Sequence, residues 1–318
     1  MAVQDTALGL GDVEHSSLSG SAVWCRRIGL FSLQLILAAL LMHRFLSMPT
    51  PVAQNLIFVG AAGGVCAVLL GLVAIAIIWR KGLGGALSAT AGLFAGLLIT
   101  AMAAATIAFA ANFPSISDIS TDVQNPPPFK AIAGLRPKDA NPTAYPGQSN
   151  AAQQVEAYPD IRPLAVQRSA VETFEVIGDT IRRMRWSVVS EDPPPAPGQP
   201  GYIEAIDRTL VFGFRDDIVI RVQGDYNDSR VDVRSASRYG AHDFGRNATR
   251  VREFYKELRA RLEASVTSES RRGRRARPSA AVPKRQKGAS APSQDLRKSQ
   301  GRGSQGAQRG PQSKERPR

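Results

Sequence analysis

Cysteine and histidine are scarce in this chain, and their scarcity closes several routes at once. Its 318 residues include 2 Cys and 3 His. Cys25 and Cys66 both belong to the apolar N-terminal region, so the part that follows has no disulfide and needs no redox argument in either direction. Beyond residue 113 the only histidine is His242. A zinc site built on His and Cys therefore lacks ligands there, and no metal or cofactor is expected. No glycine loop of the kind that cradles phosphates occurs. Charge is missing from one long stretch, since no Asp, Glu, Lys or Arg lies between Lys81 and Asp118. A soluble domain of this composition would hardly leave such a gap.

What fills the first 113 residues is apolar. Three runs, 28–46, 56–79 and 83–113, predict transmembrane helices, because about 20 apolar residues at ~1.5 Å rise each cross a hydrocarbon core. The second passes that length easily. The third is longer than needed and must tilt or project, with Phe113-Pro114 as a natural stop. The first is the shortest and spans only if His43 and Arg44 snorkel toward the headgroups; the alternative for it is an interfacial helix. A cleaved signal peptide fits poorly, because Asp5, Asp12 and Glu14 precede the run and no small-x-small site follows cleanly. Along the third run Ser88, Gly92, Gly96, Thr100, Ala104 and Ala108 recur every fourth residue as one smooth ridge, for which Gly60 and Gly64 of the second offer a notch. Ordinary helix packing is the reading this pattern supports.

Orientation follows from the basic residues flanking the spans. Arg26 and Arg27 precede the first span and Arg80 and Lys81 sit between the second and third, whereas Arg44 stands alone on the other side. This predicts a cytoplasmic N-terminal segment, 1–27, an inner (cytoplasmic) membrane location, and everything after residue 113 on the extracytoplasmic side. The lipid bilayer is thus the first expected partner.

The net charge of +13 is distributed unevenly. Residues 266–318 carry 15 Lys plus Arg against 3 Asp plus Glu, while residues 114–265 carry 20 against 21. Nearly all the basicity is in the tail. Its RRGRRAR run at 271–277 is followed by Gly, Ser, Gln, Pro and Ala with almost no large apolar side chains, which predicts disorder in the free state. On the extracytoplasmic side such an arm would meet anionic lipid headgroups or envelope polymers. Nucleic acid is a partner only if the topology is reversed.

Residues 114–265 have the length of one domain. The opening, 114–163, is rich in Pro, Asn, Asp and Ser and reads as extended chain. A helix follows, with Ala170, Phe174, Ile177, Ile181 and Met184 on one face. Short strands are expected at 186–189, 202–209, 210–214, 217–223 and 230–237, joined by tight turns and therefore antiparallel. A final helix over about 246–262 turns Val251, Phe254, Leu258 and Leu262 inward, with Asp243 as its N-cap. The predicted class is α+β: three transmembrane helices, an antiparallel-sheet domain with two helices, then a disordered tail.

The densest polar stretch runs from Arg230 to Arg250. At period two Asp232, Arg234, Ala236 and Arg238 share one strand face, and Val231, Val233, Ser235 and Ser237 the other. At helical spacing Asp243, Arg246 or Asn247, and Arg250 form one stripe. If strand end and helix start lie side by side, Arg234, Arg238, Arg246 and Arg250 surround an anion near the helix N-terminus. The competing reading is a structural lattice of these arginines with Asp216, Asp217 and Asp232. Ser237, His242 and Asp243 supply the residue types of a nucleophilic triad, but His and Asp are neighbours and no nucleophile elbow is present. The Asp225-Tyr226-Asn227-Asp228 segment lacks the glycine and terminal Glu of a calcium loop and reads as a hairpin turn.

The segments TDVQNPPPF (121–129), YPDIRPL (158–164), IEAIDRTLVFGFRDDIVIRV (203–222) and RVDVRSASRYGAHDFGRNATRVREF (230–254) resemble the bacterial and plastid family catalogued as domain of unknown function 1499, over roughly residues 115–262. The positions that look like its motif are Asp216, Asp217, Arg221, Asp232, Arg234, Ser235, Ser237, Arg238, Asp243, Asn247 and Arg250. The resemblance implies membrane attachment and supplies no activity or catalytic residue; the basic tail lies outside it. Three functions remain open: an envelope interaction or anion-binding module, a membrane-anchored hydrolase that uses Asp216, Asp217 or Asp232 for acid-base chemistry, and, with the topology reversed, a cytoplasmic nucleic-acid-binding tail.

Overall fold

A computed structural model describes residues 18–210 and 212–276, with the backbone alone over 266–276. Three N-terminal helices pack together: α1 (Gly20–Phe45), α2 (Thr50–Lys81) and α3 (Ala86–Ala110). Each is long and apolar enough to cross a membrane. The first begins earlier than its apolar run, because Ala22 to Arg27 continue the helix without a breaker; its 26 residues give about 39 Å, more than a ~30 Å core requires. The third ends at Ala110 rather than Phe113, where the Asn112 amide donates back to the carbonyls of Ala108 and Phe109 at 3.0 and 3.3 Å. Gly82, at φ +64°, terminates α2.

The small-residue ridge on α3 serves two partners. A Cβ at Gly96 would lie 2.7 Å from the Gly64 carbonyl of α2, and one at Gly64 would lie 2.6 Å from Ile99 of α3, so these two helices meet at close backbone distance. Gly92 instead abuts the Cys25 and Arg26 backbone of α1, and Gly60 faces Ile36 of α1. The expected α2 notch is therefore shared between α1 and α3. The Ser19 N–H donates to the Gly84 carbonyl at 3.0 Å, which puts the α1 start and the α2–α3 turn, with their basic pairs, at one end of the bundle.

The domain is built on an antiparallel sheet of six strands in the order β1-β6-β5-β4-β3, with β2 also pairing β6. The strands are β1 (Asp118–Ser120), β2 (Leu164–Val166), β3 (Ser187–Asp192), β4 (Gly201–Arg208), β5 (Arg215–Gly224) and β6 (Ser229–Ser237). The sequence separates a strand at 210–214 from its neighbours; the structure makes this segment the turn of the β4–β5 hairpin. Thr209 N donates to the Phe214 carbonyl, Phe214 N to Thr209 Oγ1, and Gly213 takes φ +78°, a conformation that favours glycine.

The domain also has three helices rather than two: α4 (Gln148–Ala157), α5 (Ala170–Met184) and α6 (Arg246–Ala276). Helix α4 lies in the region read as extended chain. It escapes a hydrophobic-period search because its buried face holds Asn150, Ala151 and Gln154. Gln154 accepts from Ser120 N at 2.9 Å and donates to Ser120 O at 2.7 Å, so a side-chain amide completes the outer edge of β1. Helix α6 continues past the expected end near Leu262 into the basic segment, where Ala, Glu and Arg favour helix and no proline occurs before Pro278. The tail beyond Ala276, expected to be disordered, lies outside the described residues.

One face of the sheet, with Ile203, Ile218, Ile220, Val231 and Val233, packs against Phe174, Ile177 and Ile181 of α5 and Val251, Phe254 and Leu258 of α6. These are the helix faces expected from sequence. Each such side chain contributes about 1.5–3 kcal/mol when fully buried. Trp186 stacks on Phe254 with centroids 5.6 Å apart. The opposite face buries Val219 and Ala236 under Phe129 and Ile132, which come from the 118–145 segment.

Candidate functional site

Period-two alternation sorts the charged residues onto two sides of the sheet. On the helix side, Asp207 of β4 and Asp216 of β5 are direct cross-strand partners. Arg250 of α6 reaches both, through Nε to Asp207 at 2.8 Å and Nη2 to Asp216 at 2.5 Å. Its Nη1 donates to Ser235 Oγ and to Asn247 Oδ1 at 3.0 and 2.6 Å. Asn247 passes the connection on, its Nδ2 donating to Ser237 Oγ and the Ser117 carbonyl. Burial alone would lower the Arg250 pKa, but the Asp216 and Asp207 carboxylates outweigh it and hold the guanidinium above its ordinary value. Arg246 stays at the rim, 3.7 Å from Asp207 and 3.5 Å from Glu253.

Asp243 does receive the start of α6: Oδ1 accepts from Gly245 N and Oδ2 from Asn247 N, both at 2.8 Å. Burial raises its pKa, and these two backbone bonds oppose the rise. Gly245, between the cap and the helix, adopts φ +71°, which turns the chain into the helix.

On the far side of the sheet the pattern repeats with other partners. Arg234 makes a bidentate pair with Asp118, at 3.0 and 2.7 Å, and also donates to the Pro127 and Thr143 carbonyls. Its guanidinium carbon lies 4.6 Å from the Phe129 ring centroid. Asp217 takes Arg238 through Nε and Nη2, at 3.0 and 2.8 Å, and Arg136 through Nε at 2.6 Å. Asp232 accepts from Arg221 and Arg230, and Asp122 accepts from the same two arginines. Burial opposes the Arg221 charge, yet its two carboxylates raise its pKa overall.

The four arginines expected to surround one anion are therefore not brought together. Arg234 and Arg238 lie on the sheet face away from α6, Arg250 reaches from α6 onto the opposite face, and Arg246 is peripheral; each buried member already faces a carboxylate. Ser237 and Asp243 do not assemble with His242 either. The His242 ring is taken up by the Ala110 carbonyl at 3.0 Å and by Phe244 N at 3.0 Å. Among the described residues no group of His, Cys, Asp and Glu could hold a metal ion.

Sequence reasoning missed Asp118, Asp122, Arg136, Glu204 and Asp207. Glu204 is 1 % exposed and its carboxylate accepts three backbone N–H bonds, from Lys130 and Ala131 on Oε1 and Ile132 on Oε2, at 2.7 to 2.9 Å. An acidic residue amid the apolar IEAID segment carries that signal. Asp207 was legible in principle, because it keeps period two with Ile203 and Ala205.

The domain touches the helix ends in two places. His43 of α1 binds the Phe212 carbonyl through Nδ1 at 2.7 Å and Thr50 through Nε2 at 3.0 Å, and Arg208 donates to the carbonyls of His43 and Arg44 at 3.3 and 2.7 Å. The second contact is the His242 bond to the end of α3. Against known families, residues 118–258 match the model described as Protein of unknown function (DUF1499). The sheet domain thus resembles that family across nearly all its elements. No curated protein matches the chain.

Proposed function

We propose, from a DUF1499-like domain joined to three membrane-span-capable helices, that the protein is an interaction module working at the membrane surface on the extracytoplasmic side. The observation that carries this reading is the double seating of the domain on the helix ends, His43 with Phe212 and His242 with Ala110. A domain held at two points on one end of the bundle stays close to the headgroups, where a domain on a free linker would sample the solvent. The excess of Arg26, Arg27, Arg80 and Lys81 at the opposite end supports a cytoplasmic position for that end. The basic segment 266–318 then adds a cationic arm for anionic headgroups or envelope polymers.

The hydrolase reading needs a carboxylate free to accept or deliver a proton. Asp216, Asp217 and Asp232 are each 4 % exposed or less and each is bonded to arginine, which favours a lattice that fixes the fold. Reporter fusions after Ser265 test the placement: alkaline phosphatase activity is expected, and fluorescence from a cytoplasm-dependent reporter would overturn it. Protease added to cells with a permeabilised outer layer should then clip the 271–277 arginine run without rupture of the inner membrane.

A further inference from the structure

A cleft of about 440 Å³ opens where the sheet domain meets the helix ends, with Ser47, Met48 and Thr50 on the membrane side and Arg208, Arg215 and Tyr239 on the domain side. The lattice arginine Arg238 lines it too, already paired with Asp217, but its other cations differ. Arg208 spends its bonds on the carbonyls of Gly213, His43 and Arg44, so no carboxylate neutralises it. Among the described residues Arg44 and Arg215 make no ion pair. The carboxylate on the wall, Asp139, accepts from the Tyr239 hydroxyl at 3.3 Å.

Gly213 is what lets the cations crowd. A Cβ there would lie 3.1 Å from both Arg208 Nε and Arg44 Cδ, a spacing that leaves little room for any side chain. Burial pulls the Arg208 pKa down, and repulsion from the neighbouring Arg44 and Arg215 adds to the fall. Around them the surface is apolar: Phe45, Leu46 and Leu210 are 74 %, 70 % and 85 % exposed. Cations next to bare apolar side chains, at the level where α1 ends, match the boundary at which lipid phosphates meet acyl chains.

We propose that this cleft seats the phosphate of an anionic phospholipid from the adjacent leaflet, with Arg215 as its ligand on the wall and Arg44, beside Gly213, as its ligand at the rim. Arg208 is the positioning residue, since it ties the β4–β5 hairpin that carries Arg215 to the end of α1. The proposal rests on the seating of the domain against the bilayer, and holds whichever face of the membrane that is.

The test reconstitutes the full chain in mixed phosphatidylcholine and phosphatidylglycerol bilayers, re-extracts it in mild detergent, and counts retained lipid by native mass spectrometry. Arg44→Gln with Arg215→Gln should lower retained phosphatidylglycerol by about five-fold per arginine, the worth of one cation at an anionic surface. Retained phosphatidylcholine and the circular-dichroism melting curve should not change. Arg182→Gln with Arg183→Gln, on exposed positions of α5, lowers the net charge equally and should leave retention intact. Equal retention by the cleft variant and wild type would overturn the site. Release of the lipid by millimolar inorganic phosphate would reassign it to free phosphate and overturn the lipid assignment. Cysteines at Thr50 and Phe212 that a short bismaleimide fails to bridge would instead overturn the seating itself.

Discussion

Asp207 and Asp216 stand directly opposite each other on β4 and β5, and Arg250 lies across both. Like charges in this position destabilise a sheet, so the pair depends on the helix that supplies the guanidinium. Arg250→Met leaves two adjacent carboxylates, Asp216 buried and Asp207 half-buried, and strands Ser235 and Asn247. A loss of about 3–5 kcal/mol is expected. Adding Asp207→Asn and Asp216→Asn should recover a large part of it, because the uncompensated charge is then gone. Denaturant titration followed by Trp186 emission in a Trp24→Phe, Trp79→Phe background measures both steps. A triple variant no more stable than the single one would refute the charge argument.

Glu204 replaces a missing piece of secondary structure. Its two oxygens satisfy three N–H groups at the entrance to the 3-10 turn Ile132–Leu135, and this holds Phe129 and Ile132 on the far face of the sheet. In Glu204→Gln one of the two positions becomes a donor and faces an N–H. The expected cost is about 1–3 kcal/mol, with faster hydrogen exchange at Lys130, Ala131 and Ile132 than elsewhere in the domain. Uniform exchange across the domain would count against this role.

Gly92 is predicted to be the least replaceable glycine in the helical bundle. A methyl group there would collide with the Cys25 and Arg26 backbone, which cannot move aside as a side-chain tip can. Gly92→Val should destabilise the packing of α1 on α3 by at least the ~1–3 kcal/mol typical of overpacking. Gly134→Ala, at a position with nothing within 4 Å, is the control. Thermal aggregation in detergent compares them, and equal midpoints would show that α1 is not packed there.

The helix faces, the strand alternation and the three spans were legible because each is a periodic burial pattern. The lattice was legible only in part. Arg234, Arg238, Asp217 and Asp232 were identified by their alternation, and that alternation already placed Arg234 and Arg238 on the face away from Ser235. The anion pocket nevertheless joined them to Arg250, since sequence did not say which face α6 covers. Helix α6 packs on the Val231 and Val233 side, where the apolar residues are. Asp118 opens the three-residue strand β1, too short to show a period, and Asp122 and Arg136 lie in loop outside any period, so nothing local marked them as partners. Helix α4 was missed for the same reason: its buried contacts are amide hydrogen bonds to β1, which leave no hydrophobic stripe.

Asp160 and Arg252 make the one acid-base pair whose pH dependence can be read simply. Arg252 donates to the carboxylate at 2.6 and 2.8 Å, which holds Asp160 below its usual pKa, against a smaller opposing effect of burial. A carboxylate depressed in the folded state binds its proton more weakly than in the unfolded chain, where its pKa is about 3.9. Its stabilisation is therefore fully present above that value and is lost as the pH falls through the lower folded one. Because the side chains of Arg252 and Asp160 are 43 % and 55 % exposed, solvent screens the pair, and Asp160→Asn should cost under about 1 kcal/mol at neutral pH. The gap between wild type and variant should close in acid. Denaturation midpoints across that range decide it: a gap that widens in acid would mean the interaction does not depend on the ionised carboxylate.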